Sequence, residues 1–248
     1  MTWILLRGLS REARHWGRFA ADFAAGVAPC KVSALDLPGN GEFYAQTSPT
    51  SVAAMVEFAR AQLQVKGIKP PYQLLAMSLG GMVATDWAHR YPGDIGGLVL
   101  VNTSMRPARM TERLRPANWP KLGLLAARWP DADHAENLIH HLTCNNTRQR
   151  VQDLAQWRQI RKTAPVSSAN VLRQLLAAAR FGGVSAAPRC PVLVLSSGAD
   201  RLVNPVCSTQ LAQAWQAVHL SHPSAGHDLP HDDGPWVCER VSGWLNSK

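Results

Sequence analysis

Along the chain, short apolar runs alternate with longer stretches whose apolar residues recur at helical intervals. The runs cover residues 3–6, 32–37, 72–77, 98–101, 192–197 and 217–220, and the stretches cover 16–25, 52–65, 81–89, 208–216 and 236–245. Such short runs predict strands buried on both faces, and the helical stretches supply the crossovers that parallel strands require. The pattern therefore predicts an α/β fold, a mainly parallel twisted sheet of about six strands with helices on both faces. Ligands of such sheets bind beyond the carboxyl ends of the strands, so the loops that follow strands should carry the chemistry.

Residues 105–184 break the alternation. The segment has no clear strand, is rich in Arg, Gln, Ala, Leu and Trp, and shows helical spacing over 135–142, 147–162 and 168–180. In the middle stretch Val151, Leu154, Trp157 and Ile160 mark an apolar stripe, with Arg148, Arg150, Arg158 and Arg161 mostly off it. We expect a helical cap, or lid, at 105–184, inserted into a core domain formed by 1–104 and 185–248.

The third run leads into Ala76, Met77, Ser78, Leu79 and Gly80, and a helical stretch follows. Small residues two before and two after a serine are what a sharp strand-to-helix turn demands, because the two backbones nearly touch there. Ser78 would stand exposed on a strained backbone at the top of the sheet, poised to attack an acyl carbon if a base and oxyanion donors are near.

Other strand-end loops supply those parts. Asp200 follows the fifth run and His227 the sixth, which gives the chain order Ser, Asp, His. Gly8 ends the first run and lets the backbone bend, so that the N–H of Leu9 can join that of Leu79 as an oxyanion hole. Competing assignments are His222 and His231 for the base, and Asp36 and Asp228 for the acid. His15 and His89 read as structural, and Asp36 reads as an anchor for the turn that follows it.

With these pieces in place the chain resembles the α/β-hydrolases over nearly its whole length. The matching residues are Leu6 to Leu9, Leu35 to Gly41, the turn at Ser78, Tyr91 and Pro92 before the fourth run, Gly198 to Asp200, and Ala225 to His227. Within that superfamily it is most similar to small cytoplasmic carboxylesterases of the pimeloyl acyl-carrier-protein methyl ester esterase type, whose four-helix cap fills the same place. The resemblance implies a serine hydrolase that cleaves carboxylic esters or thioesters through an acyl-enzyme, with no cofactor. It also implies an acidic acyl carrier protein as a partner and a place in biotin biosynthesis. A small-molecule esterase or lactonase, or a non-catalytic binding protein on the same fold, are the alternatives. Two positions depart from the family: Arg7 and Asn40 stand where histidines are usual.

Composition narrows the remaining choices. A chain of 248 residues, 46% hydrophobic and 17% charged, is long and apolar enough to bury a full core. It has no membrane-length apolar run and enters its first strand without a leader, so a cytoplasmic location is expected. Five dispersed cysteines without paired spacing read as reduced thiols. The histidines and acids from Asp131 to His141 fit no metal-ligand spacing, so no metal is expected there. Net charge is +9, of which residues 106–180 carry +8, with 13 basic against 5 acidic side chains. No nucleic-acid motif accompanies this excess. It suggests an anionic partner on the cap side, with Arg148, Arg150, Arg158 and Arg161 as candidate contacts.

Overall fold

The computed structural model describes residues 1–27, 30–184 and 186–247, so Ser185 and Lys248, at the edges of the expected core domain, lie outside it. One sheet holds six strands: β1 (Thr2–Leu6), β2 (Lys31–Leu35), β3 (Tyr72–Met77), β4 (Ile95–Val101), β5 (Val192–Ser197) and β6 (Val218–His222). All neighbouring pairs are parallel, in the order β2-β1-β3-β4-β5-β6. The chain runs outward from β1 to β2, then returns to β3 on the other side of β1. This reversal sets the loop after β1 directly beside the loop after β3, the place where open α/β sheets bind ligands.

Alternation along the strands divides the interior into two cores. Ile4, Leu6, Leu74, Ala76, Leu98, Leu100 and Val194 pack with helices Val52–Val65, Leu79–Arg90 and Val206–Trp215. Trp3, Leu5, Leu75, Met77, Val99, Leu193 and Leu195 face the other way, toward Phe19–Gly26 and Gly234–Asn246.

Two strand boundaries differ from the apolar runs for visible reasons. β2 stops at Leu35 because Asp36 accepts hydrogen bonds from the Ala13 and Glu42 amides, at 2.6 and 3.0 Å, and turns the chain away. β4 begins earlier than its run because Gly96 and Gly97, which interrupt the hydrophobic pattern, lie under the Gln73 side chain; a Cβ on Gly97 would stand 2.1 Å from Gln73 Oε1.

Between β4 and β5 the chain forms helices Met110–Arg113, Trp119–Ala127, Ala132–Thr143, Arg150–Thr163 and Ser168–Arg180 and, among the described residues, no strand. The hydrophobic pattern does not predict Trp119–Ala127. None of its residues is buried, so it has no inward stripe to read, and its Pro120 sits in the first turn, where proline is tolerated. A small core of Trp129, Ile139, Cys144, Trp157, Ile160 and Val166 holds this segment together. Among the described residues no helix is long and apolar enough to cross a membrane.

Candidate active site

Ser78 stands between β3 and helix Leu79–Arg90 with φ 49° and ψ −117°, a conformation that L-residues rarely adopt. The small residues around it explain how the turn closes. A Cβ on Gly80 would lie 2.5 Å from the Arg7 carbonyl, and one on Gly81 would lie 1.7 Å from Thr103 Oγ1. Gly8 comes so near that its added Cβ would meet Ser78 Cβ at 3.2 Å. The Ser78 amide donates to the Val101 carbonyl at 3.1 Å, and Thr103 Oγ1 donates to the Ser78 carbonyl at 3.2 Å, so the turn is tied to the end of β4. Leu79 opens the helix, and its N–H therefore has no intrahelical acceptor. The Leu9 N–H donates to no described residue.

The structure brings Asp200 and His227 together across the loops after β5 and β6. His227 Nδ1 and Asp200 Oδ2 are 2.7 Å apart, and both residues are buried. The other carboxylate oxygen, Oδ1, accepts from the Leu202 and Val203 amides at 2.8 and 2.9 Å, which fixes the orientation of the carboxylate. Burial works against a charged imidazole at His227, but the Asp200 charge and hydrogen bond, with Asp228 behind them, outweigh it and raise the pKa. This pairing holds the imidazole in one orientation through Nδ1.

The rivals have other engagements. His222 Nδ1 accepts from the Ala225 amide at 2.9 Å, and its Nε2 lies 3.2 Å from Asp233 Oδ2. His231 Nε2 lies 3.2 Å from Asp153 Oδ2, and Asp36 anchors the turn after β2 as described. Asp228 is bound by Arg7, whose two terminal nitrogens donate to its carboxylate at 3.0 and 2.5 Å. Burial pushes the Asp228 carboxyl up, yet the Arg7 guanidinium more than offsets this and holds it at about 2. Arg7, which also lies over the Trp16 ring at 4.7 Å, thus ties the loop after β1 to the residue that follows His227.

Three supporting residues escape the sequence reading. Asn102 directly follows β4 with φ 47° and is buried. Its Nδ2 donates to the His227 carbonyl at 2.8 Å, and its Oδ1 accepts from the Ser197 amide at 2.9 Å. A polar residue at a strand's carboxyl end is a signal that could have found it. Gln174, on Ser168–Arg180, accepts from the Ser10 amide at 2.8 Å and donates to Asn40 Oδ1 at 3.1 Å, which pins the helical segment beside the Gly8 loop. Glu136 receives Arg11 at 2.7 Å and Arg161 at 2.9 Å, and no sequence signal marks it.

The four arginines proposed as partner contacts do not form one group. Arg161 is drawn inward by Glu136, donates to the Trp129 carbonyl at 2.5 Å and lies over the Trp129 ring at 3.9 Å, so it is withdrawn from any docking face. Arg158 pairs with Asp133 at 2.5 Å on the surface. Arg148 and Arg150 are exposed, the latter donating to Asn137 Oδ1 at 3.1 Å.

The fold is shared by many hydrolases. An esterase from Thermogutta terrifontis superposes with a TM-score of 0.77 at 21% identity, covering 100% of this chain and 90% of that one. An enol-lactonase from Burkholderia xenovorans gives 0.80 at 18% identity, over 99% and 91%. The chain matches the family model for serine aminopeptidase, S33, over residues 3–233, and it belongs to that family, within the α/β-hydrolases. A pimeloyl-[acyl-carrier protein] methyl ester esterase from Chromobacterium violaceum is 32% identical over 120 residues, 47% of this chain and 40% of that protein. The chain spans less than half the length of the curated relatives it matches.

Proposed function

We propose that the protein is a serine esterase working through an acyl-enzyme. Ser78 attacks the ester carbonyl while His227 Nε2 takes its proton; the Leu9 and Leu79 N–H groups hold the oxyanion; His227 then protonates the departing alcohol. Asp200 keeps the imidazole in the required tautomer and stabilises the imidazolium. Water, activated by His227, releases the acid and frees Ser78. The observation that carries this reading is the buried 2.7 Å Asp200–His227 pair in loops at the same carboxyl end of the sheet as the strained Ser78. A fluorophosphonate probe tests it: labelling of the wild type and not of Ser78→Ala supports the reading, and no labelling of folded wild-type protein overturns it.

For the substrate we propose the methyl ester of an acyl chain borne on an acidic carrier protein. The Chromobacterium relative supports this, as does the basic segment 106–180, where Arg148 and Arg150 are the exposed contacts left after Arg158 and Arg161 are paired. On this reading residues 105–184 act as a cap over the site. Replacing Arg148 and Arg150 with Glu should slow turnover of the carrier-bound ester, most at low salt, and leave a small p-nitrophenyl ester unaffected. An unchanged rate on the carrier-bound ester at low ionic strength would instead favour a small-molecule esterase or lactonase.

A further inference from the structure

The last turn of helix Ala132–Thr143 carries His140, and Cys144 caps the helix four residues on, so the two side chains share a face. Against that face comes the short turn Leu229–Asp232, which presents His231 from the core loop that carries His227. One donor atom from each of His140, Cys144 and His231 lies within 4.8 Å of the other two. Asp153, from the neighbouring helix Arg150–Thr163, sets Oδ2 3.4 Å from His140 Nε2 and 3.2 Å from His231 Nε2. The Trp157 ring closes over both imidazoles, with centroids 5.3 and 5.5 Å away.

We propose that His140, Cys144 and His231 form a structural zinc site, with Asp153 as the carboxylate that orients both imidazoles. A thiolate with two imidazoles suits a borderline-soft, tetrahedral divalent ion, whereas calcium and magnesium require oxygen cages. Tetrahedral Zn²⁺ with bonds of about 2.0–2.3 Å separates its donors by roughly 3.3–3.8 Å, so each side chain has only about an ångström to close. The thiolate and the Asp153 carboxylate together balance the charge of the ion, which makes its burial affordable. A carboxylate bonded to the ligand imidazoles is the usual outer support of such sites. A cavity of about 570 Å³, lined by His140, His141, Cys144, Arg150 and Arg201 among others, adjoins the cluster on the side of His140 and Cys144.

The ion would join two parts of the chain that the sequence keeps far apart. It would clamp the end of Ala132–Thr143 to the loop holding the base, where the Arg201 guanidinium already donates to the Cys144 carbonyl at 2.7 Å and the Asp228 amide to the Thr143 carbonyl at 2.8 Å. No step of ester cleavage passes through it.

The test uses the full chain, purified under reducing conditions, loaded with Zn²⁺ or Co²⁺ and dialysed free of loosely held metal. One equivalent of metal should remain, and the Co²⁺ form should show tetrahedral visible absorption with a thiolate-to-cobalt charge-transfer band. Cys144→Ala should lose that band, His231→Ala should lose tight binding, and Asp153→Asn should weaken binding by about 10–100-fold. Zinc should raise the unfolding temperature of the wild type and not that of Cys144→Ala, which separates metal binding from any folding defect of the variant. If no equimolar metal is retained, or if retention is unchanged by Cys144→Ala and His231→Ala, the cluster is a His140–Asp153–His231 hydrogen-bonded relay and the zinc site is overturned.

Discussion

The turn at Ser78 and the seam between the helical segment and the core solve different problems with different materials. At the turn, glycines and one strained serine let strand, helix and the Gly8 loop approach until an added Cβ would collide. At the seam, buried charges do the joining. Arg11 of the core shares Glu136 with Arg161 of the helical segment and lies over the Trp157 ring at 4.4 Å, while within the core Arg7 grips Asp228 beside this seam. The turn is built from small residues that let its own backbone meet the loops after β1 and β4, for presentation of one side chain. The seam is built from distant residues for placement of one segment on another, and a charge there is held only as long as its partner stays.

The largest effects should come from the turn and its partners, and they should be effects on turnover. Ser78→Ala is expected to cut ester hydrolysis by several orders of magnitude, and Asp200→Asn by about 10⁴-fold or less. Unfolding in urea should change little for Ser78→Ala, since no core contact is lost. With the wild type, kcat/KM should fall as pH drops through the raised pKa of His227, because only the neutral imidazole can accept the serine proton. Near-wild-type turnover by Asp200→Asn would shift the acid role elsewhere and dissolve the contrast.

Seam variants should show the opposite signature, in stability. Glu136→Ala leaves two guanidiniums, Arg11 and Arg161, without their shared carboxylate in a largely buried place, and we expect a loss of about 3–5 kcal/mol in urea unfolding. Replacing all three by apolar residues of similar volume should recover much of it. If the triple variant stays as unstable as the single one, the seam is a favourable ion network in its own right and not a device for placement.

How much of this the sequence shows follows the same division. The strands, the helices flanking them, Ser78, Asp200, His227 and the glycines at the turn are legible because each is announced by its neighbours: an apolar run, a helical period, a small residue two positions away. Asp228 and His231 are visible as residues, but their partners Arg7 and Asp153 are fixed only by folding. The cluster of His140, Cys144 and His231 is hidden for the same reason, and the local run from Asp131 to His141 gives no hint of it. The arginines of Arg150–Thr163 carry the same composition on paper, yet one is buried against Glu136 and its neighbour is not.

A smaller effect should appear in acid. Asp228 is held at about 2 in the folded chain, below its ordinary value of 3.8, so its pairing with Arg7 stabilises the fold fully above pH ~4. That contribution is lost as pH falls toward 2, and the shift corresponds to about 2 kcal/mol. Arg7→Met should abolish this part of the acid transition, leaving a shallower dependence of unfolding free energy on pH between about 4 and 2. An unchanged slope would mean that other carboxylates set the acid limit of the fold.

The smallest effect isolates what burial adds to an ion pair. Arg158 and Arg161 lie on one helix with their acidic partners on another, and both partners, Asp133 and Glu136, belong to Ala132–Thr143. Arg158 and Asp133 face solvent, with side-chain exposures of 39% and 75%, whereas Arg161 and Glu136 retain 11% and 1%. In water the Arg158–Asp133 attraction is screened and offset by the entropy of holding two mobile side chains, so Arg158→Ala should change stability by no more than about 0.5 kcal/mol. Arg161→Ala removes a bond to the Trp129 carbonyl and the stacking on that ring as well, and leaves Glu136 half-satisfied, so its cost should exceed that of Arg158→Ala several-fold. Raising the salt concentration should erase the small Arg158 effect and leave the Arg161 effect standing; equal costs for the two variants at low and high salt would show that the Arg161–Glu136 pair owes nothing to its burial.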